Sequence, residues 1–173
     1  WLYWDGKMWR ADDSGEIKKL SDVICEDIKR DAFLEQDEKT QLDMLKWANR
    51  TASSRGKESM VKECQHLDGI PADPNEFDVF TDYINCQNGI VNLRNGELMP
   101  HDSNFMMSKI TNCEYDPSGK KPERWMQFLD EVTNGDKELQ RYIQKCVGYS
   151  ISGSIKEQCA YFLYGMGNNG KST

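Results

Sequence analysis

The sequence is poor in the features that define a metal site, a membrane anchor or a secretory signal. It has only two histidines, and its six cysteines include no CxxC pair, so a zinc site has no recognisable spacing. No apolar run approaches the about 18 residues needed to cross a bilayer. The first residues lack the charged and apolar regions of a signal peptide. We therefore expect no membrane partner, a cytoplasmic location and reduced cysteines.

Charge is the next informative feature, because the 173 residues carry a net charge of −7. Residues 1–70 and 71–121 are acidic, whereas basic and acidic residues balance over 122–173. A polyanion is repelled by an acidic surface, which argues against non-specific binding of duplex DNA by the bulk of the chain. A 38% apolar content is sufficient for a folded core. Because residue 1 is not methionine, we expect a segment of a longer protein.

The N-terminal part has the pattern of a hairpin followed by helices. Asp5-Gly6 separates two short aromatic segments and predicts a type I′ turn within residues 1–10. A 3.6-residue apolar period predicts a helix over residues 17–34 with an inward stripe of Ile17, Leu20, Ile24 and Ile28. Two more helices precede Gly69, and their predicted inward residues are Leu42, Leu45, Ala48, Met60, Val61, Cys64 and Leu67.

The middle and C-terminal parts differ in character. Asn-Gly pairs at 88–89 and 95–96 separate short apolar segments and predict an antiparallel meander, with a further strand over 105–113. A helical pair follows, in which Asp136 caps the second helix. The predicted inward residues of that helix are Leu139, Tyr142, Ile143, Cys146 and Val147. The expected divisions are 1–70 (hairpin and helices), 71–121 (meander), 122–158 (helical pair) and 159–173.

The last division carries the motif with the clearest chemical meaning. Residues 159–164 are typical of a buried strand, and the pattern GxxxxGK[ST] follows at once. Its residues are Gly165, Met166, Gly167, Asn168, Asn169, Gly170, Lys171, Ser172 and Thr173. A strand that leads into this pattern predicts the phosphate-binding loop of a nucleotide-binding domain.

The needs of a bound triphosphate explain these residue types. Glycines let successive backbone N–H groups turn toward the phosphate oxygens. Lys171, the predicted catalytic residue, would contact the β- and γ-phosphates, and the hydroxyl of Ser172 would bind Mg²⁺. ATP and Mg²⁺ are therefore the predicted cofactors of the parent protein. Since no acidic metal-site residues follow, we expect this segment alone to bind ATP poorly and to hydrolyse none.

Other residues have alternative interpretations. Lys109, Lys120, Lys121 and Arg124 form a basic cluster that would contact DNA phosphates if the fold joins them, or would simply be solvated. The hairpin aromatics Trp1, Tyr3, Trp4 and Trp9 are interpreted as packing residues rather than base-stacking ones. Neither histidine has a metal-site neighbourhood, and we expect structural or exposed positions for His66 and His101. Asp12-Asp13 and Asp130-Glu131 are interpreted as solvated acidic pairs.

Short stretches spread over nearly the whole chain form a series: WDGKMW at 4–9, FD at 77–78, NGIVNL at 88–93, NGEL at 95–98, PHD at 100–102, WMQFL at 125–129, GYSISG at 148–153, LYG at 163–165 and NGKST at 169–173. This series resembles the phage and plasmid primase–helicase family, and specifically its poxvirus-type helicase-associated N-terminal domain. The resemblance is strongest from Phe77 onward.

The resemblance implies a replication protein of a mobile element in a bacterial host cell. In such proteins a primase module often lies upstream, and a superfamily-three helicase domain of the AAA+ type follows. The helicase forms a hexameric ring that moves on single-stranded DNA with ATP, so single-stranded DNA and further copies of the chain are the implied partners. The helical pair at 122–151 would form a collar against that ring.

The predicted fold is therefore α+β, mostly helical with a small antiparallel β-meander, and it ends in the first strand and phosphate loop of a P-loop ATPase domain. The predicted function is that of the domain preceding an ATP-dependent DNA helicase. A non-catalytic oligomerisation or DNA-loading module is one alternative. An unrelated P-loop NTPase or kinase is the other.

Overall fold

The computed structural model describes residues 1–164 and 167, which fall into two compact units. The first unit consists of Trp1–Asp5 and Trp9–Phe77, and the second of Gly6–Met8 and the chain from Asp78 onward. Helices predominate, and the small sheets are antiparallel. The mostly helical α+β class is therefore confirmed. None of the described helices combines the length and the apolar character that a membrane span requires.

A short hairpin opens the first unit. Strands β1 (Leu2–Trp4) and β2 (Trp9–Ala11) pair antiparallel, with Trp4 opposite Trp9. The two-residue turn predicted at Asp5-Gly6 is therefore wrong, because four residues separate the paired tryptophans. A type I′ turn needs a positive φ at both central residues. Of Asp5 and Gly6, only Gly6 has a positive φ, at 96°.

Three helices complete the first unit: α1 (Glu16–Leu34), α2 (Glu38–Thr51) and α3 (Ser54–Cys64). All three were expected, although α3 ends before the Gly69 stop. Short polar side chains fix two of the starts. The Asp37 carboxylate accepts a hydrogen bond from the Thr40 N–H at 2.8 Å, and the Ser53 hydroxyl accepts one from the Gly56 N–H at 3.1 Å.

The core of this unit uses small side chains. The buried residues of α1 and α2 are Ser21, Cys25, Ala32 and Ala48. Leu20 and Ile24 of the predicted stripe are instead 56% and 45% exposed, and Leu42 and Leu67 are also exposed. The predicted inward faces are thus displaced, because α1 packs against both α2 and α3 and small side chains let helix axes approach closely.

The second unit contains the predicted meander. Strands β3 (Tyr83–Cys86), β4 (Gly89–Asn92) and β5 (Leu98–Met99) pair antiparallel with β4 in the centre, which confirms the prediction. Gly89 has a φ of 149°, and a Cβ atom there would collide with the carbonyl of Met99. The close approach of β5 to the start of β4 therefore requires glycine at this position.

The further strand predicted over 105–113 is wrong. Ser103–Phe105 forms a 3₁₀ turn, and Met106 follows with a φ of 48°, which lies outside the β region. The residues after Met106 form only isolated hydrogen bonds with β3, such as the one from the Thr111 N–H to the Asn85 carbonyl at 2.8 Å. The left-handed residue at the start prevents a continuous ladder.

The predicted helical pair is present as α4 (Glu123–Val132) and α5 (Lys137–Ile151). Asn134 and Gly135 both have positive φ values, which end α4. The Asp136 carboxylate accepts hydrogen bonds from the N–H groups of Glu138 and Leu139 at 2.9 and 3.0 Å, so the predicted cap is confirmed.

The inward face of α5 differs from the predicted one. Three residues expected to face inward are largely exposed: Leu139, Tyr142 and Val147. Gln140 is buried instead, and its amide donates hydrogen bonds to Asp130 Oδ1 at 2.7 Å and Thr133 Oγ1 at 2.9 Å. The Thr133 hydroxyl donates to the Leu129 carbonyl at 2.6 Å. A polar network, which an apolar period does not indicate, therefore joins the two helices.

Residues 159–164 do not form the predicted strand. They lack regular secondary structure, and Phe162 and Tyr164 are 87% and 92% exposed. A strand is held by hydrogen bonds to a neighbouring strand, and none of the strands in the described part of the chain pairs with this segment. The predicted start of an ATPase domain is thus an exposed apolar segment here.

Candidate functional site

The predicted phosphate loop lies outside the described residues, except for Gly167. This applies to Gly165, Met166, Asn168, Asn169, Gly170, Lys171, Ser172 and Thr173. Their predicted roles in nucleotide binding, Mg²⁺ binding and catalysis therefore stay predictions. Gly167 has a φ of 107°, a backbone conformation that favours glycine.

The members of the predicted basic cluster have different surroundings, and their predicted contact with DNA stays a prediction. Lys109 Nζ lies 3.7 Å from an Asp78 carboxylate oxygen, and an Arg124 guanidinium nitrogen lies 3.6 Å from Glu131 Oε1. The exposed side chains of Lys120 and Lys121 have no ion-pair partner among the described residues. Two members of the cluster are therefore compensated locally, and of the four only Lys121 lines the groove described next.

That groove lies between α4 and α5 and has a volume of about 500 Å³. Its lining residues include Lys121, Trp125, Leu129, Lys137, Arg141 and Val147, and we call it the α4–α5 groove. No acidic side chain belongs to its described lining. Trp125 is 43% exposed and stacks on Phe128, with ring centroids 5.4 Å apart and ring planes 29° apart. The groove therefore combines an exposed aromatic face with positive charge.

Two of the three cations that line the α4–α5 groove have no acidic partner among the described residues. Lys137 donates to Asp130, whereas Lys121 and Arg141 have no side-chain partner within the described part of the chain. Hydrogen bonds from Lys137 and then from Gln140 lower the pKa of Asp130 below its usual value. Asp130 is therefore ionised at neutral pH and offsets the charge of Lys137. Lys121 and Arg141 remain available to a negatively charged ligand.

A second groove, between α2 and α3, has similar residues and a volume of about 520 Å³. Trp47, Arg50 and Arg55 belong to its lining, and we call it the α2–α3 groove. Its surroundings differ, because the first unit contains 11 basic and 17 acidic residues, whereas the second contains 11 and 12. The unit that contains the α2–α3 groove therefore carries the more negative net charge.

The hairpin tryptophans have structural contacts. The ring centroids of Trp4 and Trp9 lie 6.0 Å apart, and Trp9 meets Phe77 edge-to-face at 6.3 Å. These distances are typical of packed aromatic pairs. The interpretation as packing residues is confirmed for Trp4 and Trp9, whereas Trp1 is 48% exposed.

The acidic and histidine candidates also have structural roles. The Asp12 carboxylate accepts hydrogen bonds from the N–H groups of Glu16 and Ile17 at 2.7 and 3.0 Å, and the bond from Ile17 is the main cause of its lowered pKa. Asp12 is thus a helix cap rather than a merely solvated residue, and Asp130 belongs to the Gln140 network. His101 Nε2 lies 2.9 Å from the Cys86 carbonyl oxygen, and His66 is exposed. Within 1–164 and 167, no three His, Cys, Asp or Glu residues are grouped to hold a metal ion.

Comparison with known proteins agrees with the resemblance seen in the sequence. Residues 1–134 match the family described as "D5 N terminal like", and the chain belongs to this family. Such domains occur in poxvirus D5-type helicases and primases. The predicted relationship is therefore confirmed.

One relative is a protein of Acanthamoeba polyphaga mimivirus with the name "Putative helicase L207/L206". It is 28% identical to this chain over 119 residues, which is 67% of the chain. The matched region is 12% of the relative's own length. The comparison therefore associates the chain with helicases through a small part of a much larger protein.

Sequence reasoning missed the α4–α5 groove although a signal was present. Lys137 and Arg141 are four residues apart, which places them on one face of a helix. Trp125 lies in the first turn of α4, and Lys121 comes just before that helix. Proximity in the sequence indicated Lys109 and Arg124 instead, and these two have acidic neighbours in the fold.

Proposed function

We propose that this chain is part of the DNA replication protein of a mobile element, and that its D5-type domain precedes an ATP-dependent superfamily-three DNA helicase domain of the AAA+ type. The observation that carries the proposal is the order along the chain. Residues that match the D5 family end at 134, and the pattern GxxxxGK[ST] follows at 165–173. The helicase name of the mimivirus relative supports the same association.

The proposed chemistry at 165–173 is the binding of ATP with Mg²⁺. Backbone N–H groups of a glycine-rich loop can surround phosphate oxygens without a steric penalty. Lys171 would neutralise charge on the β- and γ-phosphates, and the Ser172 hydroxyl would bind the metal ion. ATP hydrolysis also requires acidic residues and an arginine from a neighbouring subunit. A hexameric ring of the parent protein would supply that arginine.

The described residues would serve as an accessory module in this protein. Two of the acidic residues weighed from the sequence have structural roles, since Asp12 caps α1 and Asp130 joins α4 to α5. All six cysteines are free thiols, which fits a protein that acts in the reducing interior of a bacterial host cell. Single-stranded DNA is the proposed substrate of the whole protein.

The test is a substitution in the natural full-length protein. Lys171→Ala should abolish ATP hydrolysis and DNA unwinding, because the loop loses its only side-chain charge on the phosphates. Lys156→Ala, which removes an exposed lysine upstream of the loop, is the matched control and should leave both activities intact. ATP hydrolysis that survives Lys171→Ala would contradict the proposal. ATP hydrolysis without unwinding would favour another P-loop NTPase.

A non-catalytic DNA-loading or oligomerisation module is the second candidate, and the many exposed apolar residues favour it. Phe33 and Leu34 at the end of α1 are 71% and 76% exposed. Apolar surface of this kind is typical of regions that other protein surfaces cover. A full-length protein that forms rings but neither binds nor hydrolyses ATP would support this candidate over the helicase.

A further inference from the structure

We propose that the α4–α5 groove binds single-stranded DNA, with a base stacked on Trp125 and phosphates held by Lys121 and Arg141. The choice of DNA rests on the proposed function. The site itself rests on the geometry of α4 and α5 and is independent of the phosphate loop.

Charge is the first reason. Lys121 and Arg141 lie on opposite sides of the groove, one just before α4 and the other on α5, and neither has an acidic partner in the described part of the chain. The groove's described lining contains no carboxylate. An arginine fork and a lysine ammonium are well suited to successive phosphate groups. The groove therefore offers a cationic path in a chain whose overall charge is negative.

The aromatic surface is the second reason. Trp125 exposes 43% of its surface although it is already stacked on Phe128. Its position is therefore fixed by a neighbour while part of its surface remains available. Aromatic side chains next to a cationic groove are the usual platform for bases of single strands, because every base has a flat face. The volume of about 500 Å³ lies in the range of ~300–1,000 Å³ that is typical of small-ligand sites.

An acidic protein segment is the competing occupant, and two observations favour DNA over it. Trp125 would offer an acidic segment apolar contact and a single indole N–H donor, whereas a base can stack on the whole ring face. The amide side chain of Gln144 also lines the groove and has no hydrogen-bond partner among the described residues. An amide provides both donors and acceptors, which suits the mixed edges of a base.

The experiment is a titration of the full chain with a fluorescently labelled oligothymidine, read by anisotropy at about 50 and about 200 mM salt. Trp125→Ala should weaken binding by about 5- to 150-fold, the usual cost of one lost base stack. Trp125→Phe should retain most of the affinity. Arg141→Glu and Lys121→Glu should each lower the slope of log affinity against log salt by at least about 0.7.

Lys109→Glu is the matched control. It makes the same change in net charge, but Lys109 lies outside the α4–α5 groove and beside Asp78. It should leave the affinity within about twofold, since a distant charge acts only through a screened field. Circular dichroism of each variant checks that α4 and α5 are intact, and Arg141→Glu provides a readout even if Trp125→Ala unfolds them.

Several outcomes would overturn the inference. Equal weakening by Lys109→Glu and Arg141→Glu would mean that only net charge matters. Displacement of the oligothymidine by polyglutamate of equal charge, with no loss on Trp125→Ala, would assign the groove to an acidic protein segment. Absence of binding at the lower salt concentration would also refute it. None of these results depends on ATP, so a failed ATPase test and a failed groove test remain distinguishable.

Discussion

The two units of the molecule each contain a groove with an exposed tryptophan and uncompensated cations, but their charge environments differ. In the first unit, three helix lysines pair with an acidic residue three positions earlier: Lys19 with Glu16, Lys29 with Glu26 and Lys46 with Asp43. In α5, Arg141 and Lys145 have no such partner among the described residues. The total number of basic residues is equal in the two units, so the larger number of acidic residues makes the first unit the more negative one.

The two units also differ in how their helices are held together. In the first unit, contacts between helices use small buried residues such as Ala32 and Ala48. In the second unit, α4 and α5 are joined by the buried amide of Gln140 and its partners Asp130 and Thr133. Size is therefore critical in one unit and hydrogen bonding in the other. We therefore expect an enlarged side chain to be the damaging change in the first unit and the loss of a hydrogen-bonding group to be the damaging change in the second.

The largest expected effect on stability is that of Ala32→Leu. Ala32 is fully buried in α1, so a larger side chain has no space and should lower the free energy of unfolding by about 3 kcal/mol. Urea denaturation gives the value. Phe33→Ala is the control, because Phe33 is 71% exposed and its removal should change stability by less than about 0.5 kcal/mol. A larger loss from Phe33→Ala than from Ala32→Leu would contradict the small-residue core.

The next effect is that of Gln140→Leu, which removes the buried amide between α4 and α5 while its volume is nearly kept. The expected loss is about 2 kcal/mol, because the buried Thr133 hydroxyl oxygen loses its donor and the exposed Asp130 carboxylate loses one of its two. Hydrogen exchange of α4 and α5 amides should accelerate while that of α1 stays unchanged. Gln144→Leu, at an exposed position of the same helix, should leave exchange as it is.

A smaller effect is expected at the start of α5. Asp136→Ala removes the cap that accepts from the Glu138 and Leu139 N–H groups and should cost about 1 kcal/mol. Asp136→Asn retains an accepting oxygen and should restore most of that loss. Thermal unfolding of the three proteins provides the comparison. Equal stability of the alanine variant and the unchanged chain would show that this cap contributes nothing.

The smallest effect concerns pH and the first unit. The lowered pKa of Asp12 means that its stabilising contribution is complete above its usual pKa near 3.8 and disappears as the pH falls through the lower folded value. Stability of the unchanged chain should therefore decline more steeply below about pH 4 than that of Asp12→Asn. Denaturation midpoints at several pH values test this. Parallel decline of both proteins would contradict the capping role of Asp12.

Sequence patterns predicted the parts of the fold that depend on neighbouring residues. The Asp136 cap and the Asn134-Gly135 stop involve positions within one turn of a helix end, and both are present. The meander was predicted from Asn-Gly pairs, which also act on residues that are neighbours in the sequence. The inward faces of α1 and α5 could not be predicted from apolar period alone. They depend on which distant helix approaches, and small or polar residues such as Ser21 and Gln140 carry no apolar signal.

The candidate sites were likewise predicted where their residues are contiguous in the chain and missed where the fold brings them together. The pattern at 165–173 is contiguous in the chain and was recognised from the sequence. The α4–α5 groove joins Lys121 and Trp125 to Arg141, which comes from another helix. The ion pairs of Lys109 with Asp78 and of Arg124 with Glu131 were not predicted, because they depend on how the chain folds.

Photo-crosslinking tests the central comparison of the two units most directly. Oligothymidine that carries photoreactive halogenated uracils would be irradiated with the full chain, and crosslinked peptides would be mapped by mass spectrometry. We expect crosslinks at Trp125 and in the peptides of the α4–α5 groove, and their loss in Arg141→Glu. Crosslinks concentrated at Trp47 in the α2–α3 groove, and unchanged by Arg141→Glu, would contradict this account.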